Sequence, residues 1–357
     1  MAQFFCEGSL RERLRNELGE NSLRIKTFTP MFSGVVVNEQ VMPLGTLLHV
    51  ASGDMDMLPA FAVIDGLLAG NINVLALVGT DGCASVKMLK LLAEAEPSLA
   101  EYIFVFGHSA KSARIIDRLT EVVDGVVVWG GDAAVSSIRR LAKPDTKIIE
   151  WGRKSSFAYC TKEGMENYGL DGLAKHMIST NQLLGSSCQG IFVDTGSMGM
   201  VHRFCEAFMP LLEKERLTGI EGARIGANPQ ASLQVYAAEL ESQFTQPKAS
   251  RRVYKSIDCS LIASRDSRLE PSIQFGNAWV KPLPRGEILA ALRPYKNRIQ
   301  TVGLLCAKDE WAELASLFSR TGAVRICPGE RMSDTYCGAA LNGEYPLRRY
   351  TKIVCIE

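Results

Sequence analysis

The chain has 357 residues, 46% of them hydrophobic and 22% charged, which is enough to bury a large core and long enough to predict two domains. Its 40 Lys+Arg offset 39 Asp+Glu, so it carries no basic footprint for nucleic acid and no acidic tail. No run approaches the roughly 20 apolar residues of a membrane span, and the start Met1-Ala2-Gln3-Phe4-Phe5-Cys6-Glu7 reaches an acid before an apolar signal core forms.

In chain order, Thr46 to Ala51 reads as a strand and Leu58 to Leu68 as a helix ended by Gly70-Asn71. Ile72 to Leu77 is the next strand, followed by a helix over Ser85 to Ala95. Tyr102 to Phe106, Val122 to Trp129 and Lys147 to Trp151 follow as strands, with helices near Ala110 to Leu119 and Asp132 to Leu141 between them. Continuous rather than alternating apolar strands imply a sheet buried on both faces, and strand–helix alternation implies parallel order. The first half is therefore expected to be a doubly wound α/β domain, without the GxGxxG turn of the ordinary dinucleotide fingerprint.

A second domain restarts after Cys160-Thr161-Lys162-Glu163-Gly164, and the join is placed near residue 155. Ile191 to Asp194 reads as a strand, Met198 to Leu212 and Ala231 to Phe244 as helices, and Arg252 to Ile262 as one strand. Asp266 to Phe275 is polar and interrupted by Pro271, hence a loop. Trp279 to Pro284, Gln300 to Leu305, Glu310 to Ser319 and Val324 to Cys327 complete a strand–strand–helix–strand set.

Ten cysteines with no CxxC pair read as reduced, mostly buried thiols and favour a cytoplasmic protein. Four histidines, none in HExxH or a Cys/His cluster, predict no metal site. His49 and His108 are expected to be core or turn residues, and the cationic run Lys248-Ala249-Ser250-Arg251-Arg252 is either a solvated turn or a contact for ligand phosphates.

Trp129-Gly130-Gly131-Asp132 closes a strand and opens a helix. Its backbone N–H groups and helix dipole suit a phosphate, while a glycine that only permits the bend, with Asp132 as a cap, explains it equally without a ligand. Glu150 ends an apolar strand at the mouth of the sheet, either as a partly desolvated base or as a solvated strand-end carboxylate.

Taken together, Leu67-Leu68-Ala69-Gly70-Asn71-Ile72-Asn73, Val128 to Ala134, Ile149 to Phe157, Asn181 to Gly190 and Gly322 to Ile326 resemble the acyl-CoA reductase family (LuxC-type), a branch of the aldehyde dehydrogenase superfamily. That resemblance implies an aldehyde-dehydrogenase-like α/β fold of two doubly wound domains. Residues 1–155 would be an NAD(P)-binding domain with an N-terminal extension, 156–340 a catalytic acyl/thioester domain and 341–357 a C-terminal tail. It implies NADPH-dependent reduction of a long-chain acyl-CoA thioester to an aldehyde through an acyl-cysteine, and self-association. Asn71, Thr80, Trp129, Gly130, Gly131 and Asp132 would approach the cofactor, and Glu150, with Gly152 and Lys154 in register, would be the general base.

The nucleophile of the family's Asn-Gln-x-x-Cys-Ser-Ser pattern falls at Gly185, which has no side chain. Cys188, three residues on, is either a relocated nucleophile or a buried structural thiol. Ala76 stands where the family tends to have a lysine, Asp54 where an oxyanion-binding asparagine is expected, and Leu341-Asn342-Gly343 where a His-Asp-Gly element is expected. Two functions follow: a reductase using Cys188, or a catalytically silent member that binds nucleotide or acyl-CoA beside an active paralogue.

Overall fold

The computed structural model describes the chain apart from residues 1–5, 20–24, 53–56, 79–82, 109–112, 153, 168, 219–227, 245–250, 257 and 357. The chain forms two compact units, Met1–Arg153 with Thr335–Glu357, and Lys154–Asp334. The last residues, 335–357, thus belong with the first unit.

In the first unit, α1 (Glu7–Leu18) precedes β1 (Lys26–Phe28), β2 (Val37–Pro43) and β3 (Thr46–Ser52). Then come α2 (Leu58–Leu68), β4 (Ile72–Val78), α3 (Ala84–Ala95), β5 (Ile103–His108), α4 (Ala113–Thr120), β6 (Gly125–Gly130), α5 (Asp132–Leu141) and β7 (Lys147–Gly152). Strands β3 to β7 build a five-stranded parallel sheet in the order β5-β4-β3-β6-β7. The winding reverses between β3 and β6, and at such a switch the loops leaving the carboxyl ends diverge and open a crevice for ligands. Leu47, Leu75, Val127 and Ile149 bury one face of the sheet, and Leu48, Val74, Val126 and Val128 bury the other. Sheet burial on both sides explains the unbroken apolar runs.

In the second unit, β8 (Ser155–Cys160) is followed by α6 (Lys162–Asn167), α7 (Leu170–Thr180), β9 (Gly190–Val193), α8 (Met198–Thr218) and α9 (Pro229–Phe244). There follow β10 (Arg251–Ser256), β11 (Cys259–Ser264), β12 (Asn277–Pro282), α10 (Ile288–Leu292), β13 (Ile299–Leu305), α11 (Trp311–Arg320) and β14 (Arg325–Pro328). The seven-stranded order is β10-β11-β12-β9-β8-β13-β14, parallel throughout except for the edge strand β10. The stretch read as one strand from Arg252 to Ile262 is instead a hairpin of β10 and β11, turned at Asp258 with φ 53°. No Gly or Pro marks that turn, which is why the pattern hid it. Strand β8 and helix α7 were likewise unread.

The chain returns to the first unit through α12 (Pro346–Arg349) and β15 (Thr351–Ile356), and β15 joins β1 and β2 in an antiparallel sheet. The turn before α12 is closed by a bridge between Leu341 and Glu344 around Asn342 (φ 52°) and Gly343 (φ 87°). Two consecutive left-handed residues are what an Asn-Gly tight turn requires. Local geometry therefore accounts for Leu341-Asn342-Gly343 without any chemical role.

Candidate functional site

The first unit offers the carboxyl edge of its five-stranded sheet. The loops after β3, β4 and β5 hold Asp54 and Thr80, which lie outside the described residues. At β6, Trp129 is 9% exposed and stacks on Trp151 of β7 with ring centroids 5.6 Å apart. The Trp129 indole N–H is buried and meets no acceptor among the described residues. Gly131 is the N-cap of α5 and offers no side-chain cap, so the first-turn N–H groups of that helix face the carboxyl edge. At Gly130 a Cβ would come within 3.1 Å of the Ala134 methyl, so glycine here lets the helix turn back tightly on its strand. A helix N-terminus without a side-chain cap at Gly131, beside an unmatched indole N–H, fits a phosphate-bearing cofactor. The Asp132 carboxylate on the same turn suits the helix dipole but would repel a phosphate, which limits that fit.

Glu150 lies in β7 on the face covered by α5, where its carboxylate accepts a hydrogen bond from Arg139 Nε in an ion pair. The Glu150 carbonyl accepts from Arg349, 3.2 Å away. Glu150 is thus a paired, partly exposed carboxylate within its own unit.

Two residues singled out in the sequence are packed inside the first unit. Asn71 precedes β4, at the amino end of the sheet, opposite the edge where doubly wound folds bind ligands. It is 1% exposed, donates to the carbonyls of Gly66 (3.3 Å) and Tyr350 (3.0 Å), and accepts from the Gly45 N–H (3.0 Å). Asn71 is a structural stitch within this unit. Ala76 is fully buried in mid-strand among Val74, Ile116 and Val128, so a small side chain there is a packing requirement and carries no information about cofactor charge.

The second unit holds the 181–190 loop at the amino end of β9. Asn181 and Gln182 both take left-handed backbone (φ 46° and 58°), costly for glutamine and held by the surroundings. The fully buried Gln182 side chain donates to the Cys188 carbonyl (2.8 Å) and accepts from the Gly276 N–H (3.0 Å). Ser272 donates its hydroxyl to Gln189 Oε1 (2.8 Å), and Phe275 N–H donates to the Asn181 carbonyl (3.1 Å). The polar segment 266–276 therefore clamps this loop from outside. Gly190 completes the clamp, because a Cβ there would meet the Trp279 ring at 2.1 Å.

Gly185 sits on the exposed turn of the loop, its carbonyl accepting from Ser156 Oγ at 2.8 Å. Cys188 is fully buried in the core beneath, its thiol 3.2 Å from the Gly190 carbonyl as donor. Burial pushes that thiol up to about 12. The Cys188 N–H donates to Nε2 of His176 (3.2 Å), a ring that burial lowers to about 4 and so keeps neutral and able to accept. Neither His176 nor Gln300, whose side chain reaches Gly185, stands out in the sequence: the helix that carries His176 leaves no pattern read there, and Gln300 reads as an ordinary strand position. Among the described residues no group of three or more His, Cys, Asp and Glu could hold a metal ion, and no helix is long and apolar enough to cross a membrane.

These two doubly wound units define an aldehyde-dehydrogenase-like fold. The structure is similar to an aldehyde dehydrogenase from Brucella melitensis biovar abortus 2308, with a TM-score of 0.73 and 14% identity, over 98% of this chain and 75% of that one. An NAD-dependent aldehyde dehydrogenase from Sinorhizobium meliloti gives a TM-score of 0.70 and 13% identity, over 99% and 83%. A bifunctional proline utilization A protein also matches at 0.70 and 14% identity, the chain spanning 98% of itself and 37% of that larger protein. Residues 1–353 match the acyl-CoA reductase (LuxC) family, and the chain belongs to it. Two long-chain acyl-protein thioester reductases are similar along 98% of this chain and 71% of their own length. They come from Photorhabdus laumondii subsp. laumondii (21% identical) and Photorhabdus luminescens (20%).

Proposed function

We propose that this chain binds a nicotinamide nucleotide and a long-chain acyl thioester but does not form an acyl-cysteine. The observation that carries this reading is the pairing of Gly185, exposed where the family's nucleophile belongs, with Cys188, sealed in the core. Attack on a thioester needs a thiolate at about 3–3.5 Å from the carbonyl carbon. At a thiol value of about 12, roughly 1 in 100,000 molecules would be thiolate at pH 7. Cys188 would also have to leave the His176 and Gly190 bonds and break the core, so it is better read as structural.

The nucleotide would rest on the α5 N-terminus at Gly131, with Trp129 beside it. NADPH is the nucleotide the family resemblance implies; Trp129, Gly130 and Gly131 would orient it, and without an acyl-cysteine its hydride would have no acceptor on this chain. The acyl donor, a coenzyme A or protein thioester by likeness to the relatives, would meet the 181–190 loop. A silent chain of this kind suits a partner of an active paralogue. Self-association is supported by β15, an edge strand that leaves Ile353 and Ile356 exposed. Light scattering of an Ile353→Lys, Ile356→Lys variant would show a smaller species.

The test is incubation of the intact protein with a long-chain acyl-CoA, followed by intact-mass and peptide mass spectrometry. The wild type is expected to stay unmodified while Gly185→Cys gains one acyl group on the new thiol. An adduct on wild-type Cys188 would restore the competing reading, an active reductase with a relocated nucleophile.

A further inference from the structure

The second unit contains a cavity of about 520 Å³ between α9 and the 265–273 segment, over strand β11. Three arginines line it: Arg251, Arg265 and Arg268. Three carboxylates line it as well, and each is already engaged. Glu241 pairs with Arg251 at 2.8 Å, while Asp266 and Glu270 hold the fully buried Lys281 at 2.7 and 2.6 Å. Lys281 has its third acceptor in the Arg268 carbonyl at 2.9 Å, so its ammonium is satisfied and takes up the charge of the two acids behind the wall. Arg251 keeps a buried Nε–H with no acceptor among the described residues, and Arg265 has no ion pair among them. Arg268 is 77% exposed and only loosely paired with Asp266, at 3.4 Å. Counting Lys281, four cations face three anions, and guanidinium forks remain free to bind.

The floor of the cavity is Ile262, Ala278 and Trp279, and its rim includes Ser272. Ser272 is also the residue that bonds Gln189 of the loop carrying Gly185. Ser272 thus joins the wall of the arginine-lined cavity to the loop that carries Gly185. Planar guanidinium groups match phosphate oxygens two at a time, and a buried unmatched N–H is a donor awaiting an acceptor.

The geometry points to this cavity as the seat for the phosphates of the acyl donor, the polyphosphate end of a coenzyme A thioester, from which the pantetheine arm runs past Ser272 toward Gly185. This rests on the reading that the chain binds an acyl thioester. It goes beyond that reading by assigning the donor's charged end to Arg251, Arg265 and Arg268 in the second unit.

Calorimetric titration of the intact protein with coenzyme A, with a short-chain acyl-pantetheine lacking phosphates, and with NADPH tests it. The expected result is that Arg265→Ala, Arg268→Ala weakens coenzyme A at least tenfold while leaving acyl-pantetheine and NADPH unchanged. The Lys, Lys variant, which keeps charge but loses the fork, should recover part of the affinity. Wild-type coenzyme A affinity should fall steeply between low and high salt, and that of acyl-pantetheine should not. Both arginines are exposed, and an unchanged melting temperature confirms that the fold is kept. Coenzyme A binding that is indifferent to both substitutions, or displaced by NADPH, overturns this inference and leaves the thioester-binding reading standing. Failure of both coenzyme A and acyl-pantetheine to bind the wild type overturns both.

Discussion

The carboxamide oxygen of Gln300 lies 2.6 Å from the point that a Cβ on residue 185 would occupy. The glutamine therefore fills the space in which a nucleophile's first side-chain atom would stand. The contact is with the far end of a flexible side chain, and residue 185 is not in the left-handed region, so the backbone itself accepts a side chain. Gly185→Cys is expected to fold, at a cost below about 1.5 kcal/mol, since only a Gln300 rotamer must change. Adding Gln300→Ala should raise the rate at which the new thiol reacts with iodoacetamide several-fold. Equal rates in the single and double variants would show that Gln300 does not guard the position.

Cys188 should behave oppositely. Its thiol is sealed and pushed up to about 12, so it should resist alkylation in the folded protein and react only in denaturant. Cys188→Ala should stay folded and lose about 1–2 kcal/mol, from a small cavity and the loss of the bond to Gly190. Urea melts of the variant measure this, and alkylation of native Cys188 at the rate of a surface thiol would contradict the burial argument.

His49 and His176 give the stability a pH dependence of known sign. Burial lowers each to about 4 from an ordinary 6.5, and an Asn73 bond only partly offsets this for His49. The unfolded chain therefore binds more protons between those values. Stability from these neutral rings is complete above about pH 6.5 and is lost as pH falls toward 4. At pH 5.0 each histidine should have removed about 2 kcal/mol relative to pH 7.5. Denaturant titrations at the two pH values measure the slope. His176→Gln, whose amide oxygen can still accept from Cys188 N–H, should flatten it by roughly half.

Much of the fold is legible because a sheet buried on both faces writes itself as uninterrupted apolar runs, and the expected bounds of β3, β4, β7 and β13 agree with the structure to within a residue at each end. The turn at Asp258 was not legible, since a left-handed Asp between two strands leaves no Gly or Pro signal. The family and the loop around Gly185 were legible from ordered motifs. For Asn71 the motif says nothing about which end of the strand it occupies. The parallel register settles that, placing Asn71 at the amino end and Gly131 at the carboxyl end. The clamp from 266–276 joins residues 83 to 94 positions apart, and no local pattern records such a contact.

That clamp depends on Lys281. Its side chain is fully buried, lies over the Trp279 ring at 5.3 Å, and fixes Asp266, Arg268 and Glu270 on one segment. Removing one partner of a buried pair leaves the others unmatched, at about 3–5 kcal/mol when all are sealed. Here Asp266 and Glu270 are 35% and 50% exposed, so water relieves part of that cost. Lys281→Met should destabilise by about 2–3 kcal/mol, below the range for fully sealed pairs. It should also free the 266–276 segment and, through Ser272 and Gln182, raise amide exchange in residues 181–190 well beyond what global destabilisation predicts. If exchange rose uniformly across the second unit, Lys281 would be an ordinary core support. A local rise would show that the loop carrying Gly185 is held in place from Lys281.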